Sequence, residues 1–163
     1  MPPAASPPPP SNDVRLVVRK SARQLTVYDG PRAVKVYAVI VGKGPGDKVR
    51  ESDQRTPEGD FYVCMKNPQS KYTLSLGLSY PDRDDAARGL RDGLISQQEH
   101  DQIVQALDNR DLPDWYTKLG GEIMIHGARD GRDGTAGCIA MDDDDIRELY
   151  PQVPLGAVVT ILP

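Results

Sequence analysis

The stretch from residue 123 to residue 141, IMIHGARDGRDGTAGCIAM, carries a histidine and a cysteine among small residues. An apolar run ends at His126, and Cys138 follows a loop of Gly, Asp and Arg that is long enough to turn back. A free cysteine has a pKa of about 8.5 and is mostly protonated at neutral pH. A neighbouring imidazole that accepts this proton activates the sulfur. The pattern therefore predicts a cysteine–histidine pair for nucleophilic catalysis.

Small residues come directly before the cysteine. Ala136 and Gly137 leave room for an acyl group to approach backbone N–H groups, which could form an oxyanion hole. The alternative is structural, because a cysteine in a run of small residues is commonly inert packing. A histidine at a strand end is likewise commonly a hydrogen-bonded polar residue. Spacing alone leaves both interpretations open.

The other cysteine and the other histidine favour structural interpretations. Cys64 lies in the apolar run FYVCM and is predicted to belong to the core, while His100 is predicted to lie on a helix surface. A disulfide between Cys64 and Cys138 would block the nucleophile, so we expect none. Four aspartates at 142–145 indicate a helix start rather than a calcium site, because the spacing of an EF-hand loop is absent.

Composition narrows the class of protein. The chain of 163 residues has 20 basic and 24 acidic side chains, a net charge of −4, two histidines and two cysteines. The length suits one domain with a real core, and the acidic balance argues against broad binding to nucleic acid or anionic lipid. With two histidines and two cysteines, few side chains are available as ligands of a transition metal. No apolar stretch approaches the roughly 20 residues that span a bilayer.

Proline is concentrated at the start of the chain, where six of 15 prolines lie in the first ten residues. Such a tract favours extended polyproline II and cannot pack a core, so residues 1–12 are predicted to be a disordered linker. The tract lacks the basic and apolar regions of a signal peptide. It either follows a removed segment, such as a signal, an anchor or another domain, or is a natural disordered tail.

Short apolar runs between turn residues predict antiparallel strands with one buried face. The runs beginning at Val14 and Val34 alternate in this way, with Val34 and Val36 on the predicted buried face. Further strands are predicted at 61–65, 72–78, 122–126, 139–141 and 158–162.

The middle of the chain is charged and carries the helix signals. Residues 81–118 are predicted to form a helical insertion, in which Ser96 and Glu99 have the spacing of a capping box. A second helix is predicted to start within 142–145 and to run through Tyr150.

Several segments resemble the YkuD-type L,D-transpeptidase family. Its signature is a strand-end His-Gly, then Ser/Thr-x-Gly-Cys and an apolar run, which His126-Gly127 and Thr135-Ala136-Gly137-Cys138 match. Residues 41–48 resemble the strand and loop that precede the family's TP-x-G motif, and residues 55–62 resemble that motif and the strand after it. Residues 74–81 resemble the segment that runs into the active-site cleft, and residues 157–162 resemble the closing strand. The resemblance covers residues 14–163.

The resemblance implies a mainly β (α+β) fold, a β-sandwich or flattened barrel with a helical insertion, over residues 13–163. By position, Cys138 would be the nucleophile that forms a thioester, and His126 the general base and then the general acid. Gly137 and Cys138 would supply the N–H groups of the oxyanion hole, and Thr135 would position the loop or the substrate. No metal or organic cofactor is implied.

The family acts on peptidoglycan stem peptides, at a bond next to a meso-diaminopimelate centre. The implied partners are therefore stem peptides, with a murein-attached protein as a further candidate, and the implied location is the periplasm or cell envelope. Arg55, Arg83 and Arg129 are candidates for binding stem carboxylates, with a solvated surface position as the alternative for each. Tyr80 and Gly127 complete the predicted substrate contacts.

Two substitutions and a shorter loop, relative to the commonest members, concern the acyl acceptor. Ala136 stands where those members have a second histidine, Ala140 stands where they often have arginine or asparagine, and the loop from histidine to cysteine is shorter. An amine acceptor would give transpeptidation, whereas water would give hydrolysis and make the protein a peptidase. A non-catalytic murein-binding module and a delivered antibacterial toxin are the other classes left open.

Overall fold

The computed structural model describes residues 13–163, so the predicted linker at 1–12 lies outside the described residues. The strands are β1 (Val14–Arg19), β2 (Gln24–Asp29), β3 (Arg32–Ala38), β4 (Gly59–Asn67), β5 (Ser75–Leu78), β6 (Met124–His126), β7 (Ile139–Ala140) and β8 (Val158–Leu162). The helices are α1 (Arg83–Arg91), α2 (Gln97–Asp108) and α3 (Asp143–Leu149), and a 3-10 turn follows at Tyr150–Gln152. Strands dominate, which confirms the predicted mainly β fold.

The eight strands form one curled sheet in the order β3-β2-β1-β8-β4-β5-β6-β7. Most neighbours are antiparallel, but β1 and β8 are parallel, as are β6 and β7. Just beyond β3, Ile40 exchanges two backbone hydrogen bonds of 2.9 and 3.0 Å with Ala140 of β7. The two ends of the strand order are thereby joined, as in a flattened barrel.

The outer strand β3 differs from its prediction. Val34 and Val36 are 40% and 51% exposed, whereas Tyr37 is buried and lies opposite the buried Leu25 of β2. A bulge in the pairing of β2 with β3 shifts the register between them. The prediction that Val34 and Val36 are buried was wrong, because Tyr37 faces the core opposite Leu25 and side chains alternate along a strand, so Val36 faces outward.

The predicted insertion at 81–118 contains α1 and α2. Ser96 accepts a hydrogen bond from the Glu99 N–H, and the Glu99 carboxylate accepts one from the Ser96 N–H, which confirms the predicted capping box. Asp82 and Asp85 form an equivalent box at the start of α1. The two helices pack through a small apolar cluster made of Ala86, Ile95, Ile103 and Leu119.

Both cysteines are free, and no helix within residues 13–163 combines the length and hydrophobicity needed to cross a bilayer. Cys64 is half-buried in β4, and burial raises the pKa of its thiol to about 12. His100 lies on α2 with Nδ1 at 2.9 Å from the Asp101 carboxylate. These surroundings give neither residue an activating partner.

Candidate active site

The parallel pairing of β6 with β7 brings His126 and Cys138 together. Ile125 pairs with Ile139, and continuing this register by one residue sets Cys138 level with Met124. Met124 and His126 project from the same face of β6, because side chains alternate along a strand. Two residues that are separated by a loop in the sequence thus lie on the same face at one end of the sheet.

The Cys138 sulfur rests on the backbone that leads into β6. Its thiol donates to the carbonyl oxygen of Glu122 at 3.3 Å, and the Met124 N–H donates to the sulfur. Glu122 has a φ of 54°, a strained conformation for a residue with a side chain. No hydrogen bond joins Cys138 to His126 within residues 13–163, and such catalytic contacts are often long without substrate.

Burial and charge act in opposite directions on the Cys138 thiol. Burial raises its pKa, and the negative charge of Glu122 adds to that rise. The Met124 N–H lowers the pKa, and the positive charges of Lys48 and Arg132 lower it as well. The net shift is upward, so the resting sulfur is a neutral thiol that needs a base.

The hydrogen bonding of His126 leaves one ring nitrogen able to accept a proton. Its Nδ1 lies 2.6 Å from the Gly127 carbonyl oxygen, and because a carbonyl can only accept, Nδ1 carries the proton. The other ring nitrogen, Nε2, therefore keeps its lone pair. The ring stacks on Tyr72 at 4.4 Å between centroids, and burial lowers the pKa of His126. A neutral imidazole follows.

Thr135 organises the turn that precedes Cys138. Its hydroxyl accepts the Gly137 N–H at 2.9 Å and donates to the Cys138 carbonyl at 2.6 Å. The Gly137 N–H is therefore occupied, which corrects the expectation that it stabilises an oxyanion. The Cys138 N–H has no acceptor among residues 13–163, so it remains available to an oxyanion at the sulfur.

Gly137 is required by the geometry of the same turn. Its φ is +147°, and a Cβ at this position would lie 3.0 Å from the Arg55 carbonyl oxygen. Its own carbonyl accepts a 2.7 Å hydrogen bond from the Thr56 hydroxyl. Close approach and backbone conformation together exclude a larger residue.

A cavity of about 420 Å³ adjoins Cys138. It is lined by Lys48, Glu51, Ser52, Trp115, Tyr116, Gly120, Gly121, Glu122, Ile123, Ala136, Gly137 and Cys138. Tyr116 is 81% exposed, whereas Trp115 is buried and its indole N–H has no acceptor in the part of the chain that the structure describes. The cavity thus combines aromatic walls with charges of both signs.

Comparison with known proteins identifies the family. The sequence profile of the YkuD family, the L,D-transpeptidase catalytic domain, matches residues 13–161. The chain belongs to this L,D-transpeptidase family. A comparison with curated proteins gave no match.

Solved structures share the L,D-transpeptidase fold. The helical cell shape determining protein Pgp2 from Campylobacter jejuni is 23% identical, with a TM-score of 0.63 over 91% of this chain and 46% of its own. Bd1075 from Bdellovibrio bacteriovorus is 21% identical, with a TM-score of 0.62 over 92% and 48%. An L,D-transpeptidase from Xylanimonas cellulosilytica is 16% identical, with a TM-score of 0.55 over 96% and 64%. The chain spans about half the length of the first two proteins.

Two predicted substrate contacts of this family member are structural. Tyr80 is fully buried and its hydroxyl donates to the Leu119 carbonyl at 2.7 Å, so the prediction that it touches substrate was wrong. Gly127 is also buried, its N–H donates to the Tyr72 carbonyl, and a Cβ there would lie 2.6 Å from the Asp143 carboxylate. Gly127 acts on His126 through its carbonyl instead.

The predicted arginines lie away from the cavity of Cys138. Arg55 directs its guanidinium to the Asp47 carbonyl at 3.5 Å, and Arg129 has its Nε 3.8 Å from the Asp142 carboxylate. Arg83 pairs with Asp108 across α1 and α2. The structure therefore does not bring these side chains together with the sulfur.

Sequence reasoning missed three groups that surround the cysteine. Lys48 is 4% exposed, Glu122 carries the strained backbone under the sulfur, and Trp115 walls the cavity. The chain has one tryptophan, and Gly120-Gly121 follow it closely. A Cβ on Gly121 would lie 2.4 Å from the Trp115 backbone and side chain. The glycine pair shortly after the tryptophan was therefore a sequence signal that Trp115 packs closely against the backbone.

Proposed function

We propose that this domain transfers acyl groups of peptidoglycan stem peptides through a thioester at Cys138. The observation that carries the proposal is the placement of a neutral thiol at a cavity wall and a neutral His126 on the same sheet face. Membership of a family that acts on peptidoglycan peptides supports this substrate class. The implied place of action is the cell envelope, where that polymer lies.

The first half of the reaction is acylation. Nε2 of His126 removes the thiol proton while the Cys138 sulfur attacks an amide carbonyl of the stem peptide, and the carbonyl oxygen becomes an oxyanion. The Cys138 N–H donates to this oxygen. The C–N bond then breaks, His126 returns the proton to the leaving amine, and a thioester remains. Substrate entry must first release the thiol from the Glu122 carbonyl.

The second half depends on the acceptor. An incoming amine or water loses its proton to His126 and attacks the thioester carbonyl, and the thiol leaves with the proton that His126 returns. An amine forms a new amide, as in a crosslink or an attached protein, whereas water releases a free acid. We propose transfer as the main activity and hydrolysis by the same intermediate as the alternative.

The decisive experiment measures the turnover of purified muropeptides by the wild type and by a variant at each of the two cysteines. Wild type and Cys64→Ser should convert purified muropeptides to products seen by mass spectrometry, whereas Cys138→Ala should form none. A product that carries the added amine indicates transfer, and one that has gained water indicates hydrolysis. Turnover by folded Cys138→Ala would contradict the thioester. Sacculus binding without product, unaffected by changes at Cys138 or His126, would indicate a binding module.

A further inference from the structure

The Thr56 hydroxyl links two distant parts of the chain beneath the nucleophile. Thr56 is 1% exposed, and its hydroxyl accepts the Gly42 N–H at 2.8 Å and donates to the Gly137 carbonyl at 2.7 Å. A hydroxyl has one proton to donate, and here that proton goes to Gly137. The bond spans 81 positions in the chain, so it belongs to the tertiary structure rather than to the local turn.

The bond to Gly137 also sets the direction of the next N–H group. The carbonyl of Gly137 and the N–H of Cys138 belong to one peptide unit, which is planar and trans. In such a unit the C=O and N–H bonds point in opposite directions. By holding the oxygen, Thr56 turns the Cys138 N–H away from itself.

The Gly137 N–H and the Cys138 carbonyl, which flank this peptide, are both engaged by one side chain. Thr135 takes the Gly137 N–H and supplies a proton to the Cys138 carbonyl. Thr56 is the contact that holds the Gly137–Cys138 peptide itself, whose N–H has no acceptor within residues 13–163.

We propose that Thr56 is a positioning residue for the acyl transfer, which holds the Gly137–Cys138 peptide so that the Cys138 N–H faces the oxyanion. This inference rests on the proposed function. Thr56 does not touch the reacting atoms, and it acts through the carbonyl of Gly137.

The inference separates two reactions of the same sulfur. Attack on an amide or a β-lactam carbonyl creates an oxyanion, so it needs the oriented N–H. Displacement of iodide from iodoacetamide creates none, so it reports only on the thiol and its base. Loss of the Thr56 hydroxyl should therefore slow the first reaction and spare the second.

The test compares Thr56→Val, which removes the hydroxyl at equal size, with Thr56→Ser, which keeps it. We expect Thr56→Val to lower kcat on muropeptides and the rate of acylation by a carbapenem about tenfold to a hundredfold, with KM and iodoacetamide alkylation changed less than about twofold. Thr56→Ser should restore most of the rate. Ser79→Ala is the matched control, because Ser79 is buried and its hydroxyl accepts the Tyr62 N–H at 2.9 Å, away from the nucleophile.

Equal acylation by wild type and folded Thr56→Val would overturn the inference, as would a parallel loss of alkylation. A wild type that is acylated by neither compound would instead refute the proposed function. If Thr56→Val does not fold, Thr56→Ala replaces it, since its smaller side chain leaves room for a water. If neither folds, amide NMR of the wild type decides, because acylation must shift the Cys138 N–H signal and an unshifted signal would refute the proposal.

Discussion

Nζ of Lys48 lies 2.9 Å from Oδ1 of Asp53, and both side chains are more than nine-tenths buried. Although burial raises the pKa of the Asp53 carboxyl, N–H groups of the surrounding loop and the Lys48 ammonium lower it below its usual value. Lys48 also donates to the Arg50 carbonyl at 2.8 Å. Asp53 therefore fixes the Lys48 ammonium at the wall of the Cys138 cavity, as the positive half of an ion pair.

Replacing Lys48 by methionine should make Cys138 harder to ionise. The positive charge favours the thiolate, so its removal raises the thiol pKa further. The groups that remain around the sulfur are Arg132, which opposes the rise, and Glu122 and Glu51 on the cavity wall. We expect the midpoint of iodoacetamide alkylation against pH to rise, so that alkylation at a fixed pH below it becomes slower than in wild type.

Lys66→Met is the matched control for that substitution. Lys66 is half-buried, donates to the Tyr150 and Val153 carbonyls, and lies over the Tyr150 ring, but it does not line the cavity. Lys66→Met should leave the pH midpoint of Cys138 alkylation unchanged from wild type. An equal midpoint for wild type and Lys48→Met would show that the lysine has no electrostatic effect on the sulfur.

Glu122→Gln should act in the opposite direction. The Glu122 charge raises the pKa of the Cys138 thiol, and glutamine keeps the size of the side chain while removing that charge. Alkylation at pH 8 should become faster, with a smaller difference between variant and wild type in 1 M salt, because Glu122 is exposed and salt screens it. A slower variant would assign the main effect to the strained backbone instead.

Two reactions of the sulfur should show different pH profiles. Acylation needs a neutral His126, and burial lowers the pKa of this group from 6.5, so the acid limb of kcat/KM should have its midpoint below 6.5. Alkylation needs the thiolate, whose pKa is raised above 9.0, so its rate should still climb above pH 9. An acid limb above pH 6.5 would contradict a buried neutral imidazole.

Gly137→Ala should destabilise the protein more than Gly93→Ala. Both glycines have positive φ, 147° and 74°, but a Cβ on Gly93 meets nothing within 4 Å, whereas one on Gly137 lies 3.0 Å from the Arg55 carbonyl. Backbone strain alone costs about 1–3 kcal/mol, and close approach adds to it at Gly137. Thermal unfolding of the two variants measures the difference in stability. Equal losses of stability would mean that the Arg55 backbone moves away from the new Cβ at little cost.

Much of the fold could be predicted because its signals are local. Ser96 and Glu99 stand three apart and form a capping box wherever a helix follows, and the alternation from Val14 needs no distant partner to be read. The faces of β3 could not be predicted in this way. They depend on how β3 pairs with β2, where Tyr37 lies opposite the buried Leu25, and the sequence of β3 alone does not show this pairing.

The site was only partly predictable for a similar reason. His126 and Cys138 stand in a recognisable motif, and their catalytic roles stay a prediction. The engagement of the Gly137 N–H by Thr135, the burial of Tyr80 and the position of Lys48 follow from tertiary packing. The sequence can indicate which residues could react. Which backbone N–H groups remain without an acceptor depends on the segments that pack around them in the folded protein.

Two isolated backbone bridges flank Cys138 and connect its surroundings to folding. They pair Ile40 with Ala140 and Gly42 with Thr135. These bridges join segments that are far apart in the chain, and such non-local contacts cost loop entropy before they stabilise anything. They hold the segment of Thr135 and Ala140, on either side of Cys138, against the residues that follow β3. A chain in which these bridges have not formed therefore lacks the surroundings that set the properties of the Cys138 thiol.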